Sequence, residues 1–170
     1  MGKGIVVGFV LALAVMALAV WSYFTMGMAP AATSAPPMPF EKLLARKALR
    51  AAIGDAEKRP SPIDGSETNL LHGVAVYRAN CAVCHGLPGQ EMTSIAKGMY
   101  PKVPQLFAGH GVTDDPVGET FWKVQNGIRL TGMPSFQGSL TEPEMWQVTE
   151  LLVHADKLPA SVQQELTRRP

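Results

Sequence analysis

Charge is what this chain has least of: only 17% of its 170 residues are charged, and none lies between Lys3 and Glu41. With 15 Lys+Arg against 14 Asp+Glu, the net charge of +1 excludes the basic excess of a nucleic-acid-binding protein. Cysteine is nearly missing as well. The two present are too few for a disulfide-dense secreted scaffold or a four-cysteine zinc site. From residue 67 to 157 no stretch alternates apolar and polar positions, so that region is read as helical and loop-rich, without strands.

The uncharged gap contains GIVVGFVLALAVMALAVWSYFTMGM, from Gly4 to Met28, interrupted only by Ser22 and Thr25. Ile5 to Phe24 is long enough to cross a bilayer core, which takes roughly 20 apolar residues, whereas a cleavable signal peptide has an apolar core of about 7–15. Trp21, Tyr23 and Phe24 gather at its C-terminal end, as interfacial aromatics do. The segment is therefore expected to be a transmembrane anchor. The alternative is a signal peptide cut after Ala31, with Ala29 as the second small residue. A lysine before the segment and none just after it place the rest of the chain outside the cytoplasm.

Residues 1–28 form the expected anchor and 29–66 a linker, with an extended Pro/Ala-rich piece at 29–39 and a basic helix at 40–59. On that helix Phe40, Leu43, Leu44, Ala48 and Ala51 share one side and Lys42, Arg46 and Arg50 another, while Leu49 and Ile53 break the pattern. A solvated helix, a helix on anionic headgroups and a helix against a partner subunit all remain open. Residues 67–157 are the expected compact domain, followed by a tail at 158–170. Leu70, Gly73, Val74 and Tyr77 share a face of its first helix, and Glu119–Asn126 is a second. Thr141 with Glu144 forms a capping box for a third, in which Met145, Val148, Leu152 and Ala155 face inward and Gln147, Glu150 and His154 face water. So few apolar residues leave the middle of the domain unfilled.

Cys81-Ala82-Val83-Cys84-His85 is a C-x-x-C-H sequence, the attachment pattern of a c-type haem. Two thiols on one helical turn can each form a thioether to a vinyl group, and the following histidine then projects its imidazole at the iron. A thioredoxin-like redox pair would sit near a βαβ pattern, which is missing. Half of a zinc site would need further soft ligands.

Together with this motif, NLLHGVAVYRANCAVCHGLPG, the Pro-Gln-Leu at 104–106, FWKVQNGIRLTGMPSF and the terminal helix resemble class I cytochromes c, specifically bacterial membrane-anchored monohaem ones. The resemblance implies an all-α, small cytochrome c fold wrapped around one covalently attached haem c, preceded by the transmembrane helix. It also implies a sixth ligand at Met133, in Thr131-Gly132-Met133-Pro134 and 48 residues after His85. Gly132 permits close backbone approach there, and Pro134 fixes the following dihedral. Met92 and Met99 lie in a less rigid loop, Met145 reads as core, and His72 and His154 read as surface. His110 is the rival. By the same resemblance Pro104 accepts the hydrogen bond of the proximal imidazole, with Pro101 as the fallback. Trp122 and Arg129 contact the propionates, unless they are an ordinary core tryptophan and a solvated arginine. Gly73 and Tyr77 are expected to meet the last helix around Trp146.

His/Met ligation raises the reduction potential relative to His/His and leaves no open coordination position. The expected function is thus a membrane-tethered single-electron carrier, not an enzyme, in the inner membrane with its haem domain facing the periplasm. Its partners would be a quinol-oxidising complex, a terminal oxidase or a periplasmic dehydrogenase. A fixed haem subunit of a larger membrane complex is the alternative. A peroxidase of this lineage would carry two C-x-x-C-H motifs, and a haem sensor would need an output domain. Residues 67–157 hold six Lys/Arg and nine Asp/Glu, a balance of −3, so a docking partner is expected to offer a basic patch.

Overall fold

The computed structural model describes residues 2–168. Among them are eight α-helices, one 3-10 helix and no strand, so the all-α expectation holds. The chain divides into two compact units, Met1–Leu44 and Ala45–Pro170.

In the first unit α1 (Gly2–Thr25, 24 residues) carries no acidic first turn and no basic last turn. At about 1.5 Å per residue it is roughly 36 Å long, more than the hydrocarbon core of a bilayer. By length and composition it can cross a membrane. Helix α2 (Glu41–Ile53) starts where the Glu41 carboxylate accepts from the Met38 amide at 2.8 Å.

In the second unit the end of the basic helix is packed, not solvated. Ile53, one of the two residues that break the sequence pattern, is buried, which is worth roughly 1.5–3 kcal/mol. The 3-10 turn Gly54–Lys58 then lies on α6 (Val117–Asn126). Contact is so close that a Cβ on Gly118 would come within 2.3–2.8 Å of the Ala56, Glu57 and Arg59 carbonyl oxygens. Arg59 places its guanidinium 4.8 Å from the Phe121 ring centre and 5.1 Å from that of Trp146, and pairs with Glu142. Phe121 and Trp146 are themselves stacked, 3.8 Å apart. Residues 53–59 of the linker expected at 29–66 therefore pack into the compact domain.

Helix α3 (Glu67–Asn80) buries Leu70, Gly73, Val74, Val76 and Tyr77. It packs chiefly on α7 (Glu142–Val153), which starts with the expected capping box: Thr141 Oγ1 accepts from Glu144 N, and the Glu144 carboxylate accepts from Thr141 N at 2.7 Å. The Thr141 hydroxyl, which donates to the same carboxylate at 2.7 Å, and then the Thr141 amide hold the Glu144 carboxyl below the ordinary carboxylate range. At the crossing a Cβ on Gly73 would meet the Gln147 carbonyl oxygen at 2.3 Å; only glycine lets the two backbones approach this closely.

Two expectations fail. Glu150 is buried instead of facing water, because α7 is covered by both α3 and α6, leaving a narrow wet strip. Its carboxylate lies 3.3 Å from His154 Nδ1. Residues 158–168 are not a loose tail. Helix α8 (Ala160–Thr167) buries Val162 and Leu166 against α3, and Arg78 Nη1 donates to the carbonyls of Glu165, Leu166 and Arg168 at its C-terminal end. Short helices α4 (Ala82–His85) and α5 (Ser94–Lys97) complete the domain.

Replacing Gly73 by alanine drives a methyl into backbone that cannot rotate away. A loss of about 2–3 kcal/mol is expected, read as a lowered denaturation midpoint, with the absorption spectrum of any folded holoprotein unchanged.

Candidate functional site

The site starts where α3 stops. Cys81 ends that helix, its amide donating to Tyr77 O at 2.8 Å, and α4 follows as a single turn in which the amides of Cys84 and His85 donate to Cys81 O at 3.1 and 2.9 Å. Both cysteines are half-buried free thiols. Burial, and secondarily the neighbouring Cys84, pushes the Cys81 thiol up to about 12, so it stays protonated at neutral pH.

Gly86, at φ +74°, turns the chain out of this helical turn. Its carbonyl accepts from the buried Tyr77 hydroxyl at 2.7 Å, and burial, then Cys81, raises the Tyr77 phenol above its ordinary value. Tyr77 also stands edge-on to Phe107, ring centres 5.0 Å apart. The first helix of the domain is thereby fastened to the residue directly after His85.

His85 is half-buried with Nδ1 2.9 Å from the carbonyl oxygen of Pro104. A carbonyl only accepts, so Nδ1 carries the proton and Nε2 keeps its lone pair. Burial lowers the imidazole's pKa, only partly offset by that hydrogen bond, which keeps the ring neutral at pH 7. A neutral imidazole with a free Nε2 and a fixed orientation is suited to ligate iron. Next to Pro104, Gln105 lays its Oε1 where a Cβ on Gly86 would stand, and its buried Nε2 has no hydrogen-bond partner among the described residues. Two thiols on one turn, an oriented imidazole and an unpaired buried donor fit a covalently attached haem. No group of three or more His, Cys, Asp or Glu suited to a metal ion occurs among the described residues.

Met133 lies in the loop after α6, half-buried against the same core cluster that Cys81 and Ala82 touch. The loop is held at both ends. Gly127 at φ +66° leaves no room for a Cβ against Pro134 and Ser135. Ser135 Oγ donates to Gln125 O at 2.6 Å and Phe136 N to Val124 O at 3.2 Å. Inside it, Thr131 Oγ1 donates to Ile128 O at 2.7 Å and accepts from the Met133 amide at 3.1 Å, and the Ile128 amide donates to Met133 O.

The other candidates are scattered. His110 is exposed in a turn closed by Thr113, and His72 is exposed on α3. Met145 is buried in the core. Pro101 is exposed, and no hydrogen bond joins it to His85, whose partner is Pro104. Trp122 is half-buried on α6, while the fully buried tryptophan is Trp146; Arg129 is exposed on the Met133 loop. The sequence points to Gln105 only through the Pro-Gln-Leu run and to Met99 only as a rival ligand in a less rigid loop.

A family model described as cytochrome c oxidase, cbb3-type, subunit III, matches residues 68–152. Among curated proteins, a Pseudomonas putida protein named quinohemoprotein alcohol dehydrogenase ADH IIB is 30% identical over 99 residues, covering 57% of this chain. The match spans only 13% of that relative's length. No solved structure matches.

Removing the Tyr77 hydroxyl tests the fastening of the attachment turn. Tyr77→Phe leaves the buried Gly86 carbonyl unpaired and should cost about 1–3 kcal/mol of stability, measured by denaturant unfolding. An unchanged midpoint would contradict that role.

Proposed function

Because the chain belongs to the family of cytochrome c oxidase, cbb3-type, subunit III, we propose that residues 67–157 bind one haem c and carry single electrons at a membrane surface. Haem-based electron transfer follows from the cytochrome c family itself. In the proposed site Cys81 and Cys84 hold the haem, His85 and Met133 ligate its iron, and Trp122 and Arg129 contact its propionates. The observation that carries this reading is the Nδ1–H bond from His85 to Pro104, directly behind the C-x-x-C-H turn.

Bound haem supplies the iron that takes up and releases one electron. The protein supplies fixed ligands. Pro104 holds the His85 proton on Nδ1 and so keeps Nε2 free. Thr131 and Ile128 hold the backbone of Met133. Held by His85 and Met133 together, the iron would offer no open site to oxygen or peroxide, which would suit transfer over catalysis.

Helix α1 is proposed to anchor the protein in the inner membrane, with the haem domain on the periplasmic side. Its electrons would pass between partners such as a quinol-oxidising complex, a terminal oxidase or a periplasmic dehydrogenase. A fixed haem subunit is the second reading, favoured by the relative in which the matching stretch is 13% of a dehydrogenase. The net charge of −3, in which Lys123 is already counted, would orient a basic partner. Lys123 pairs with both Asp115 at 3.0 Å and Glu119 at 2.6 Å. Burial disfavours its charge, but its bonds to Glu119 and Asp115 prevail and raise its pKa. Asp114 is exposed and is the better steering candidate.

Denaturing electrophoresis with a haem stain should label the wild-type chain, and Cys81→Ala with Cys84→Ala should abolish the label. Haem extracted from the wild type by acid acetone would refute covalent attachment. Met133→Ala should remove the far-red sulfur-to-iron band of the oxidised protein, whereas His110→Ala should keep it. For docking, association with the electron partner should slow as salt rises, and Asp114→Lys should slow it severalfold at low ionic strength. A rate insensitive to both would leave docking to apolar contacts.

A further inference from the structure

Met99 reaches the loop that carries Met133. A Cβ built on Gly132 would stand 1.7 Å from the Met99 methyl carbon Cε and 3.4 Å from its Sδ. The end of the Met99 side chain thus occupies the place where a side chain at Gly132, the residue before Met133, would begin. Met99 itself is half-buried.

The segment that delivers Met99 is tied to the opposite part of the site. Thr93 caps α5 by accepting from Ala96 N at 3.1 Å, and its hydroxyl donates to the Val83 carbonyl, inside the C-x-x-C-H sequence, at 2.6 Å. The Met99 amide donates in turn to Ala96 O at 3.3 Å. Between Thr93 and Met99 the chain therefore runs from the attachment turn to the Met133 loop, with a hydrogen bond at one end and a packed methyl group at the other. The loop's internal bonds hold Ile128, Thr131 and Met133, while Gly132 has no side chain with which to hold itself.

We propose that Met99 is a positioning residue for Met133: seated on Gly132, it braces the ligand loop from the side of the attachment turn. A flexible apolar thioether suits the role, since it adapts to an irregular gap. Glycine at 132 leaves the seat open. The proposal rests on the reading of Met133 as an axial ligand.

The test uses the full-length holoprotein in its oxidised form and titrates it with imidazole, which binds iron only when Met133 lets go. Met99→Ala should keep the far-red band but raise the apparent imidazole affinity about tenfold. Met99→Leu, which restores the bulk, should return it to near the wild-type value. Gly132→Ala pushes the methyl group off its seat and should also raise the affinity, with no further increase when added to Met99→Ala, because both changes remove one contact. Wild-type affinity in Met99→Ala, or independent effects of the two substitutions, would overturn the proposal. Failure of the underlying reading looks different: Met133→Ala would keep the far-red band. A band retained in Met133→Ala and lost in Met99→Ala would make Met99 the ligand and overturn both. If Met99→Ala yields no holoprotein, Met99→Leu against Gly132→Ala decides: equal wild-type affinities in both would reject the brace.

Discussion

The close crossing of α3 on α7 at Gly73 is the constraint from which the site descends. A Cβ at that point would overlap the Gln147 carbonyl, so the two longest helices of the domain meet in one register only. With α3 fixed, Tyr77 falls inside the core, where its hydroxyl reaches the Gly86 carbonyl. Cys81 then falls at the helix end, and α4 is held between two fastened points. The attachment turn is thus positioned by packing several residues before it and by a hydrogen bond just after it. Its own four helical residues would not hold a conformation unaided.

The two proposed ligands are held by different means. His85 is oriented through its side chain, by the carbonyl of Pro104. Met133 is oriented through its backbone, by bonds within a loop clamped against the end of α6. These hydrogen bonds come from separate stretches of chain, and on the proposed brace Met99 links the two regions. On the proposed reading His85 and Met133 would hold the iron while it gains and loses an electron, as an electron carrier requires.

Much of this was legible in the residues. Thr141 and Glu144 mark the start of α7 by a local capping signal, whereas the close crossing at Gly73 is what the resemblance implies. What escaped notice depended on neighbours far along the chain. Glu150 reads as a wet-face residue on a helix wheel, yet α7 is covered on two sides. Helix α8 has only Val162 and Leu166 to bury, too short a pattern to announce itself, and owes its place to α3 and to Arg78. Ile53 looked like a flaw in an amphipathic stripe because the stripe was drawn for the wrong face. Nothing local in the sequence connects Met99 with Gly132, which lies 33 residues further along the chain.

The central claim is that one haem sits on this chain with the Met133 thioether bound to its iron. Proton NMR of the reduced, diamagnetic holoprotein tests it directly, because a methyl group bound at the axial position lies in the haem ring current. The account predicts a single three-proton resonance far upfield of the protein envelope, absent from Met133→Ala and present in Met99→Ala. A reduced wild-type spectrum without such a resonance, or one in which it survives the loss of Met133, would contradict it.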